Sequence, residues 1–233
     1  MINLLTTEAA KLGIDITLSQ TEQFMRYKDI LLEWNEKFNL TAITDEKEVF
    51  LKHFLDSLSV VGYLKNANNV IDVGSGAGLP GIPVKIAKPQ IDMVLLDSTQ
   101  KKINFVNEAS RHLGLDGITC IHARAEEAGN NPDLREQFDA AVSRAVAPLN
   151  ILAEYCLPFV KTGGLFLAMK GPDAQNEAAA AEAIIKKLGG KLEDIKPTEI
   201  SDMKHCIVII SKLCHTPTAY PRNQSKIVQS VKR

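Results

Sequence analysis

A glycine cluster directly after a short apolar run is the feature that most constrains the fold of this chain. Residues 70–73 are apolar apart from one acid, and the glycines that follow are Gly74, Gly76, Gly78 and Gly81. The apolar run predicts a buried strand, and the prolines at the end of the cluster suit the first turn of a helix. Strand, glycine turn and helix start together predict a place where a nucleotide-like ligand lies against bare backbone.

Two kinds of cofactor fit this loop. Gly76, Gly78 and Gly81 satisfy the dinucleotide pattern G-x-G-x-x-G, whereas Asp72 followed by Gly74, Gly76 and Gly78 satisfies the acidic-x-G-x-G-x-G pattern of S-adenosylmethionine enzymes. In the dinucleotide pattern the first glycine comes directly after the strand, but the sixth position counted from Gly74 is a leucine. An acid at the strand end also suits the ammonium group of S-adenosylmethionine better than a phosphate. The loop therefore favours the methyl donor, with a dinucleotide-dependent oxidoreductase as the alternative.

Composition and charge narrow the class of protein further. The 233 residues are 45% hydrophobic and 24% charged, with a formal net charge of −1, which suits one full domain plus a helical extension. A near-neutral charge excludes a protein that is basic all over, but leaves a local basic face open. No apolar run approaches the ~20 residues of a membrane span, and residues 1–18 lack a secretory pattern. Four scattered cysteines indicate reduced thiols in a cytoplasmic protein. We also expect no membrane contact, no obligatory protein partner and a monomer.

Helical periodicity dominates residues 1–65. Apolar residues recur at helical spacing between residues 24 and 38, and Ser19 with Glu22 matches the capping box that begins such a helix. We expect these helices to pack on the core as an N-terminal extension.

A densely apolar helix predicted over residues 50–58 contains two polar side chains, His53 and Asp56, three positions apart. Either they lie within the packing of this helix, or they face the cofactor or the substrate. We treat both as candidates for the acceptor side of a site.

Strands and helices alternate from residue 66 to residue 213. Strands are predicted over residues 70–73, 91–96, 118–121, 138–143 and 165–169, with an antiparallel pair over 191–200 and 206–213 at the sheet edge. Gly163 and Gly164 are predicted to form a turn. The alternation predicts an α/β fold with a Rossmann-like, doubly wound, mainly parallel sheet. Residues 214–233 are basic and are expected to form a weakly structured tail whose charges suit phosphate contacts.

Asp97 ends the second predicted strand, at the edge where ligands bind in such sheets. It follows Gly74 at roughly the twenty-residue spacing at which an acid commonly binds ribose hydroxyls. Alternatively, Asp97 caps the next helix and pairs with Lys101 four positions on. Because strand position and spacing agree, we favour the ribose contact.

Two further charged residues follow the third and fourth predicted strands. Glu126 would lie beside the adenine of a bound nucleoside, or would begin a solvated helix. Arg144 would contact a substrate phosphate, pair with nearby acids or lie on the solvated surface. This reasoning does not decide between the alternatives for Glu126 or for Arg144.

The pairs His205-Cys206 and Cys214-His215 have the residue types of a zinc site. Alternation along a strand places each histidine on the opposite face from its neighbouring cysteine. We therefore expect no metal.

Six blocks of the sequence together have a more specific likeness. They cover residues 34–41, 53–58, 72–81, 124–126, 143–149 and 170–171. Through these blocks the chain resembles the bacterial 16S ribosomal RNA guanine-N7 methyltransferase family, also called the glucose-inhibited division protein B family. The glycine loop alone is generic, whereas its combination with Asn39-Leu40-Thr41 and with the blocks at 53–58 and 143–149 is specific. The resemblance implies a class I S-adenosylmethionine-dependent methyltransferase domain over residues 66–213.

The resemblance also implies site residues and a partner. It places donor binding at Gly74, Leu79, Asp97, Ala125, Glu126 and Arg144, which join Asp72, Gly76 and Gly78 of the loop. It implies 16S rRNA or the 30S subunit as the acceptor. The basic side chains of Lys101, Lys170 and Arg222 are candidates for contacts with the phosphates of that RNA. The family's Tyr-Pro-Arg commonly continues with a Gly-Pro-containing basic stretch, but here Asn223 and Gln224 follow Arg222. A non-catalytic RNA-binding module is a further alternative, which intact glycines and Asp97 argue against.

Methylation of guanine N7 gives no reason to assign a catalytic residue. Guanine N7 has an in-plane lone pair and no proton, so its methylation needs alignment with the donor methyl and no general base.

Overall fold

The computed structural model describes residues 1–198, 200 and 204–229, and within them strands and helices alternate as the glycine-loop pattern predicts. The strands are β1 Asn69–Val73, β2 Asp92–Asp97, β3 Ile118–His122, β4 Phe138–Arg144, β5 Val160–Lys170, β6 Gly190–Thr198 and β7 His205–Lys212. The helices are α1 Ile2–Lys11, α2 Leu18–Phe38, α3 Glu46–Glu48, α4 Asp56–Leu58, α5 Gly81–Ala87, α6 Gln100–His112, α7 Ala125–Ala128, α8 Leu149–Cys156, α9 Ala174–Lys187 and α10 Gln224–Gln229. Glu199, included in the predicted sixth strand, lies outside the described residues.

The seven strands of this part of the chain form one sheet in the order β3-β2-β1-β4-β5-β7-β6. Strands β1 to β5 are parallel, and β7 lies antiparallel between β5 and β6. The α/β class and the doubly wound, mainly parallel sheet are therefore confirmed. The strand order reverses at β1, which lies between β2 and β4, and such a switch point leaves a crevice at the carboxyl ends of the strands.

The helices before β1 share an apolar core with one face of the sheet. Leu5, Phe24 and Phe54 lie in the same buried cluster as Val70 of β1 and Met93 of β2. A second cluster on the other face packs α8 and α9 against the sheet. The N-terminal helices thus complete one layer of the core, while the division of the chain at residues 65 and 213 stays a prediction. Among the described residues, no helix is long and apolar enough to cross a membrane.

The capping box of α2 lies two residues earlier than predicted. Oγ1 of Thr17 accepts a hydrogen bond from the backbone N–H of Gln20, and the Gln20 side chain accepts one from the backbone N–H of Thr17. The Gln20 amide also donates to the carbonyl of Ile86, 2.8 Å away at the end of α5. The predicted box at Ser19 and Glu22 is therefore wrong. The bond from Gln20 to α5 fixes the start of α2 at Thr17, and the sequence pattern does not show this contact.

Gly163 and Gly164 lie inside β5, so the predicted turn is wrong. Gly163 has a φ of +87°, and the pairing of β4 with β5 shifts register between Phe138 and Ala140. A Cβ on Gly164 would lie 2.8 Å from a Val160 methyl and inside contact distance of a β4 carbonyl. Gly164 thus permits a close approach of β4 and β5, whereas Gly163 supplies the positive φ of an irregularity within β5.

The predicted helix over residues 50–58 is present, but most of it is π-helical. The π-helical stretch Val49–Leu55 lies between the short helices α3 and α4. π-helical turns are rare and often occur at functional sites. In this stretch the carbonyl of Lys52 accepts a hydrogen bond from Nη1 of Arg144, 3.0 Å away across the fold.

Candidate functional site

A cavity of about 540 Å³ opens at the switch point of the sheet. Its volume lies in the ~300–1,000 Å³ range of ligand pockets. Eight of the predicted site residues line it: His53, Gly74, Gly76, Leu79, Asp97, Ala125, Glu126 and Arg144. The ends of β1, β2 and β4 and the segment after β3 thus bring together residues that are far apart in the sequence.

The glycine loop turns tightly against the end of β2. The backbone N–H groups of Gly74 and Ser75 donate to the carbonyl of Leu96 at 2.8 and 3.0 Å. Gly74 has a φ of +75°, and a Cβ there would overlap a methyl of Val146. The hydroxyl of Tyr27 on α2 donates to the carbonyl of Ala77, so the N-terminal helices also hold the loop.

Asp97 joins the glycine loop to the start of α6. Its Oδ2 accepts from the N–H of Gly76 at 2.9 Å, and its Oδ1 accepts from the N–H of Thr99 at 2.8 Å. A carboxylate has about four lone-pair sites, so two remain for ligand hydroxyls. Asp97 thus bonds to the backbone N–H of Thr99, the N-cap residue of α6, and also lines the cavity, while its contact with a ribose stays a prediction.

The cation beside Asp97 is Lys102 and not Lys101. Nζ of Lys102 lies 3.8 Å from Oδ2 of Asp97, and Lys102 lines the cavity. The predicted pair with Lys101 is wrong because α6 begins only at Gln100, so four-residue spacing from Asp97 does not apply.

Asp72 lies behind the loop and not in the cavity wall. It is fully buried, and its Oδ2 accepts from the N–H of Gly81 at 2.8 Å. Its Oδ1 has no hydrogen-bond partner among the described residues, and burial raises the pKa of this carboxyl to about 7. Gly78 also lies outside the cavity lining, close to Ile82 and the Tyr27 hydroxyl. This placement corrects the expected direct contacts of Asp72 and Gly78, which instead shape the loop from below.

Glu126 lies at the start of α7 and lines the cavity with only 7% of its surface exposed. Its Oε1 is 4.0 Å from Nη1 of Arg124. The alternative of a solvated helix start is therefore wrong for Glu126, whereas its neighbour Glu127 is exposed.

Arg144 ends β4 and pairs with a buried acid, so the alternative of a solvated surface arginine is wrong. Its Nη1 lies 3.0 Å from Oδ2 of Asp56, and the other oxygen of Asp56 lies 3.1 Å from Nδ1 of His205. Asp56 is fully buried and does not line the cavity, which corrects its expected place on the acceptor side. Asp56 instead positions Arg144 from behind.

His53 does line the cavity. Its Nε2 lies 2.7 Å from Oγ1 of Thr41, and its Nδ1 lies 3.4 Å from Nη2 of Arg144. Burial and the Arg144 guanidinium lower the pKa of His53 to about 4, so the imidazole is neutral near pH 7.

Two of the three candidates for RNA contacts have partners within the protein. Nζ of Lys170 lies 2.7 Å from Glu177 and 2.8 Å from the carbonyl of Ala147. Nη2 of Arg222 lies 2.6 Å from Oε2 of Glu154. Lys101 is exposed on α6, and the contacts of all three residues with RNA stay predictions.

Sequence reasoning missed several residues of the cavity wall. They include Thr41, Lys102, Tyr155, Gln224 and Val228. Thr41 belongs to the specific block at residues 39–41, which is the sequence signal that indicates it. No local pattern points to Gln224 and Val228, because α10 reaches the cavity only through the tertiary fold.

The described residues contain no group of three or more His, Cys, Asp or Glu side chains arranged to hold a metal ion. The histidines of the two pairs have carboxylate partners instead, with His205 beside Asp56 and His215 beside Glu136.

Similarity to known proteins covers almost the whole chain. The family model described as GidB, rRNA small subunit methyltransferase G, matches residues 20–206. The chain belongs to this family. The ribosomal RNA small subunit methyltransferase G of Alkaliphilus metalliredigens is 51% identical over 216 residues, which are 91% of this chain and 90% of that protein. The protein of the same name from Thermoanaerobacter sp. is 48% identical over 98% of this chain and 97% of its own length.

Solved structures with low sequence identity show the same fold. An S-adenosylmethionine-dependent O-methyltransferase of Thermotoga maritima has a TM-score of 0.54 and 17% identity, with coverage of 80% of this chain and 72% of that one. The TYW2 protein of M. jannaschii in complex with AdoMet has a TM-score of 0.53 and 14% identity, with coverage of 68% and 77%. The sheet is that of the class I methyltransferases.

Family membership decides the cofactor and the reaction class. The protein is an S-adenosylmethionine-dependent methyltransferase that acts on rRNA. The alternatives of a dinucleotide-dependent oxidoreductase and of a non-catalytic RNA-binding module are thereby excluded. The chemistry of the cavity wall fits this donor. The glycine loop leaves backbone exposed, Asp97 and Glu126 are acids that suit ribose and adenine, and Arg144 suits a carboxylate.

Proposed function

We propose that this cavity holds S-adenosylmethionine and that the protein methylates N7 of a guanine in 16S rRNA. The observation that supports this most strongly is the meeting of Gly74, Asp97, Glu126 and Arg144 in one cavity at the switch point. The family description supports the small-subunit rRNA as acceptor. We further propose that the protein works as a cytoplasmic monomer.

Different residues of the cavity wall suit the adenine, the ribose and the methionine part of the donor. Glu126 suits the exocyclic amino group of adenine, because a carboxylate accepts such a hydrogen bond. Asp97 has lone pairs left for the ribose hydroxyls. The Arg144 guanidinium, held by Asp56 and Lys52, suits the carboxylate of the methionine part. The bound donor would supply an electrophilic methyl on its sulfonium.

The acceptor enters on the side of Thr41 and His53. These residues line the cavity next to Arg144, on the face opposite to Glu126 in our placement of the donor. A neutral His53 bonded to Thr41 cannot add positive charge beside a purine that becomes cationic. We assign to both residues the alignment of the guanine, because N7 has no proton for a base to remove.

The state of the target follows from the geometry of RNA. N7 lies on the major-groove edge, which is deep and narrow in paired RNA. The guanine is therefore unpaired or extruded when it reaches the cavity. The experiment below compares the rates of methyl transfer to naked 16S rRNA and to the 30S particle.

The test is transfer of labelled methyl from S-adenosylmethionine to 16S rRNA and to 30S particles, with identification of the product nucleoside. We expect labelled 7-methylguanosine. A different methylated nucleoside would overturn the proposed position of the methyl group.

A matched pair of variants tests the placement of the donor. Glu126→Gln removes an acid of the cavity wall, whereas Glu127→Gln changes its exposed neighbour. We expect the donor Kd to rise about tenfold for Glu126→Gln only, as expected for one charge-assisted hydrogen bond. Equal donor affinities of the two variants would contradict the placement of adenine at Glu126.

A further inference from the structure

The last described part of the chain, residues 216–229, is fixed to the protein by charged side chains. We call it the C-terminal segment. Arg135 donates from Nη1 to the carbonyl of Tyr220 and from Nη2 to the carbonyl of Thr216, each at 2.8 Å. The side chain of Asn130 donates to the carbonyl of Pro221 at 3.3 Å. The segment was expected to be weakly structured, and this expectation is wrong for its described residues.

A buried ion pair fixes the middle of the C-terminal segment. Glu154 on α8 is fully buried and accepts from Nη2 of Arg222 at 2.6 Å and from its Nε at 2.9 Å. The backbone N–H of Arg222 adds a third bond to the same carboxylate at 2.7 Å. Such a buried and doubly bonded pair has little freedom to move, so the chain after Arg222 starts from a fixed point.

From this fixed point α10 reaches the cavity. The helix packs on α8, where Ile227 is almost fully buried. Gln224 and Val228, one helical turn apart, line the cavity on the side of Glu126 and Tyr155. These two side chains belong to the wall that would surround the adenine.

A hydrogen bond connects α10 to the residues expected to recognise adenine. Oε1 of Gln224 accepts from Nη1 of Arg124 at 2.8 Å, and the same nitrogen lies 4.0 Å from Oε1 of Glu126. Gln224 therefore holds the guanidinium that neighbours the Glu126 carboxylate. Lys226, the charged residue in the described part of α10, is exposed.

We infer that the C-terminal segment is a part of the donor site, with Gln224 as a positioning residue for Arg124 and Val228 as an apolar contact of the adenine. This inference rests on the proposed placement of the donor. It means that α10 determines donor affinity, and that its contribution to rRNA binding is minor.

The first test compares variants of two glutamines on the same helix. Gln224→Ala loses the bond to Arg124, whereas Gln229→Ala changes an exposed residue that does not line the cavity. We expect the Kd for S-adenosylhomocysteine, measured by titration calorimetry, to rise about fivefold or more for Gln224→Ala and to stay unchanged for Gln229→Ala, because one hydrogen bond to a charged group contributes on this scale. Equal Kd values in the two variants would overturn the role of Gln224.

The second test removes the helix but keeps its fixed point. A chain that ends at Asn223 retains the Arg222–Glu154 pair. We expect its Kd for S-adenosylhomocysteine to rise more than tenfold, with kcat at saturating donor and Kd for 16S rRNA within threefold of the full chain. Loss of rRNA affinity with unchanged donor affinity would overturn the inference and assign the segment to the RNA.

One more variant separates failure of this inference from failure of the proposed function. Asp97→Asn changes the cavity wall at the end of β2, where the Asp97 carboxylate bonds to Gly76 and Thr99 and not to the C-terminal segment. If Asp97→Asn weakens donor binding but the truncation and Gln224→Ala do not, the proposed donor site stands and the inference is wrong. If none of them changes donor binding, the placement of the donor is wrong as well.

Protease protection gives a readout that does not depend on variants. Trypsin cleaves after Lys226, which is exposed on α10. Saturating S-adenosylhomocysteine should slow this cleavage severalfold and leave cleavage after Lys37 on α2 unchanged. An unchanged rate after Lys226 would contradict contact between α10 and the donor.

Discussion

Two walls of the same cavity are built in different ways. The glycine loop is made by a continuous stretch of sequence, and backbone amides fix it to Leu96 and Asp97. The C-terminal segment reaches the cavity beside Glu126, and it is fixed by the ion pair of Arg222 with Glu154 on α8 and by hydrogen bonds from Arg135 after α7. The first wall depends on the absence of side chains, whereas the second depends on particular side chains.

The two walls therefore differ in the substitutions that they tolerate. A glycine loop tolerates little variation, because any Cβ at Gly74 overlaps Val146. In the C-terminal wall, by contrast, the constraint falls on particular side chains beyond Arg222, such as Gln224 and Val228. The departure of this chain from the family's pattern begins in this part, directly after Arg222.

The largest expected effect concerns the fixed point of the C-terminal wall. Arg222→Leu leaves the buried Glu154 carboxylate without its guanidinium, and breaking a buried pair costs about 3–4 kcal/mol. We expect the free energy of unfolding in urea to fall by about that amount. The exposed Lys226→Ala is the control, with an expected change within about 0.5 kcal/mol. A stable Arg222→Leu protein with weakened rRNA binding would show that Arg222 serves the RNA instead.

The next effect concerns the glycine wall. Gly74→Ala would force Val146 away from the loop, so we expect the donor Kd to rise about thirtyfold by calorimetry. Gly114→Ala is the matched control, since Gly114 also has a positive φ but has no atom within 4 Å of an added Cβ. Both variants have a positive-φ strain of about 1 kcal/mol, but only Gly74→Ala adds an overlap with Val146.

A second substitution sharpens this result. Val146→Ala in the Gly74→Ala protein removes the overlapping methyl and should restore part of the donor affinity. No restoration would mean that backbone strain alone explains the loss.

A smaller effect is expected at the acid behind Arg144. Asp56→Asn keeps the shape of the side chain but removes the charge that holds the guanidinium at 3.0 Å. We expect the donor Kd to rise about tenfold, with a smaller change in kcat, because Arg144 keeps its bond to the Lys52 carbonyl. The exposed Asp133→Asn is the control. A change in kcat alone would place Asp56 on the acceptor side after all.

The smallest expected effect is a dependence of stability on pH. The hydrogen bond to Asp56 raises the pKa of His205 above its usual value near 6.5. The folded state thus binds the proton more tightly, so this stabilisation is fully present below about pH 6.5 and is lost as the pH rises through the raised pKa. Because His205 is partly exposed, the contribution is below about 1 kcal/mol.

Urea unfolding of the wild type and His205→Asn at about pH 6 and about pH 8 measures this effect. The difference between the two proteins should be larger at the lower pH. The reverse order would show that His205 is bound in its neutral form.

Local pattern was sufficient for the parallel sheet, the glycine loop and the position of Asp97 at the end of a strand. Parallel strands place their carboxyl ends at one edge, so the sequence predicted that the residues after them would lie close together. The roles of Glu126 and Arg144 stayed open on this pattern and were assigned only through the family resemblance.

Prediction failed where a distant partner decides the role of a side chain. The sequence did not indicate that Lys170 and Arg222 pair with Glu177 and Glu154 within the fold, and their contacts with RNA stay a prediction. Spacing does not reveal which charges will meet across tens of residues. Asp72 failed for a related reason, since the acid of the motif bonds to Gly81 below the loop and not to a ligand.

The π-helical stretch Val49–Leu55 makes the number of residues here as important as their identity. The i→i+5 hydrogen bonds of a π-helix enclose one residue more than those of an α-helix, so deleting one residue before Asp56 would change this bonding and displace its carboxylate from Arg144. The shortened stretch would still be apolar and helical, yet the arginine would lose its counter-charge. Substitutions on the outer face of this stretch are therefore tolerated more easily than a single-residue deletion.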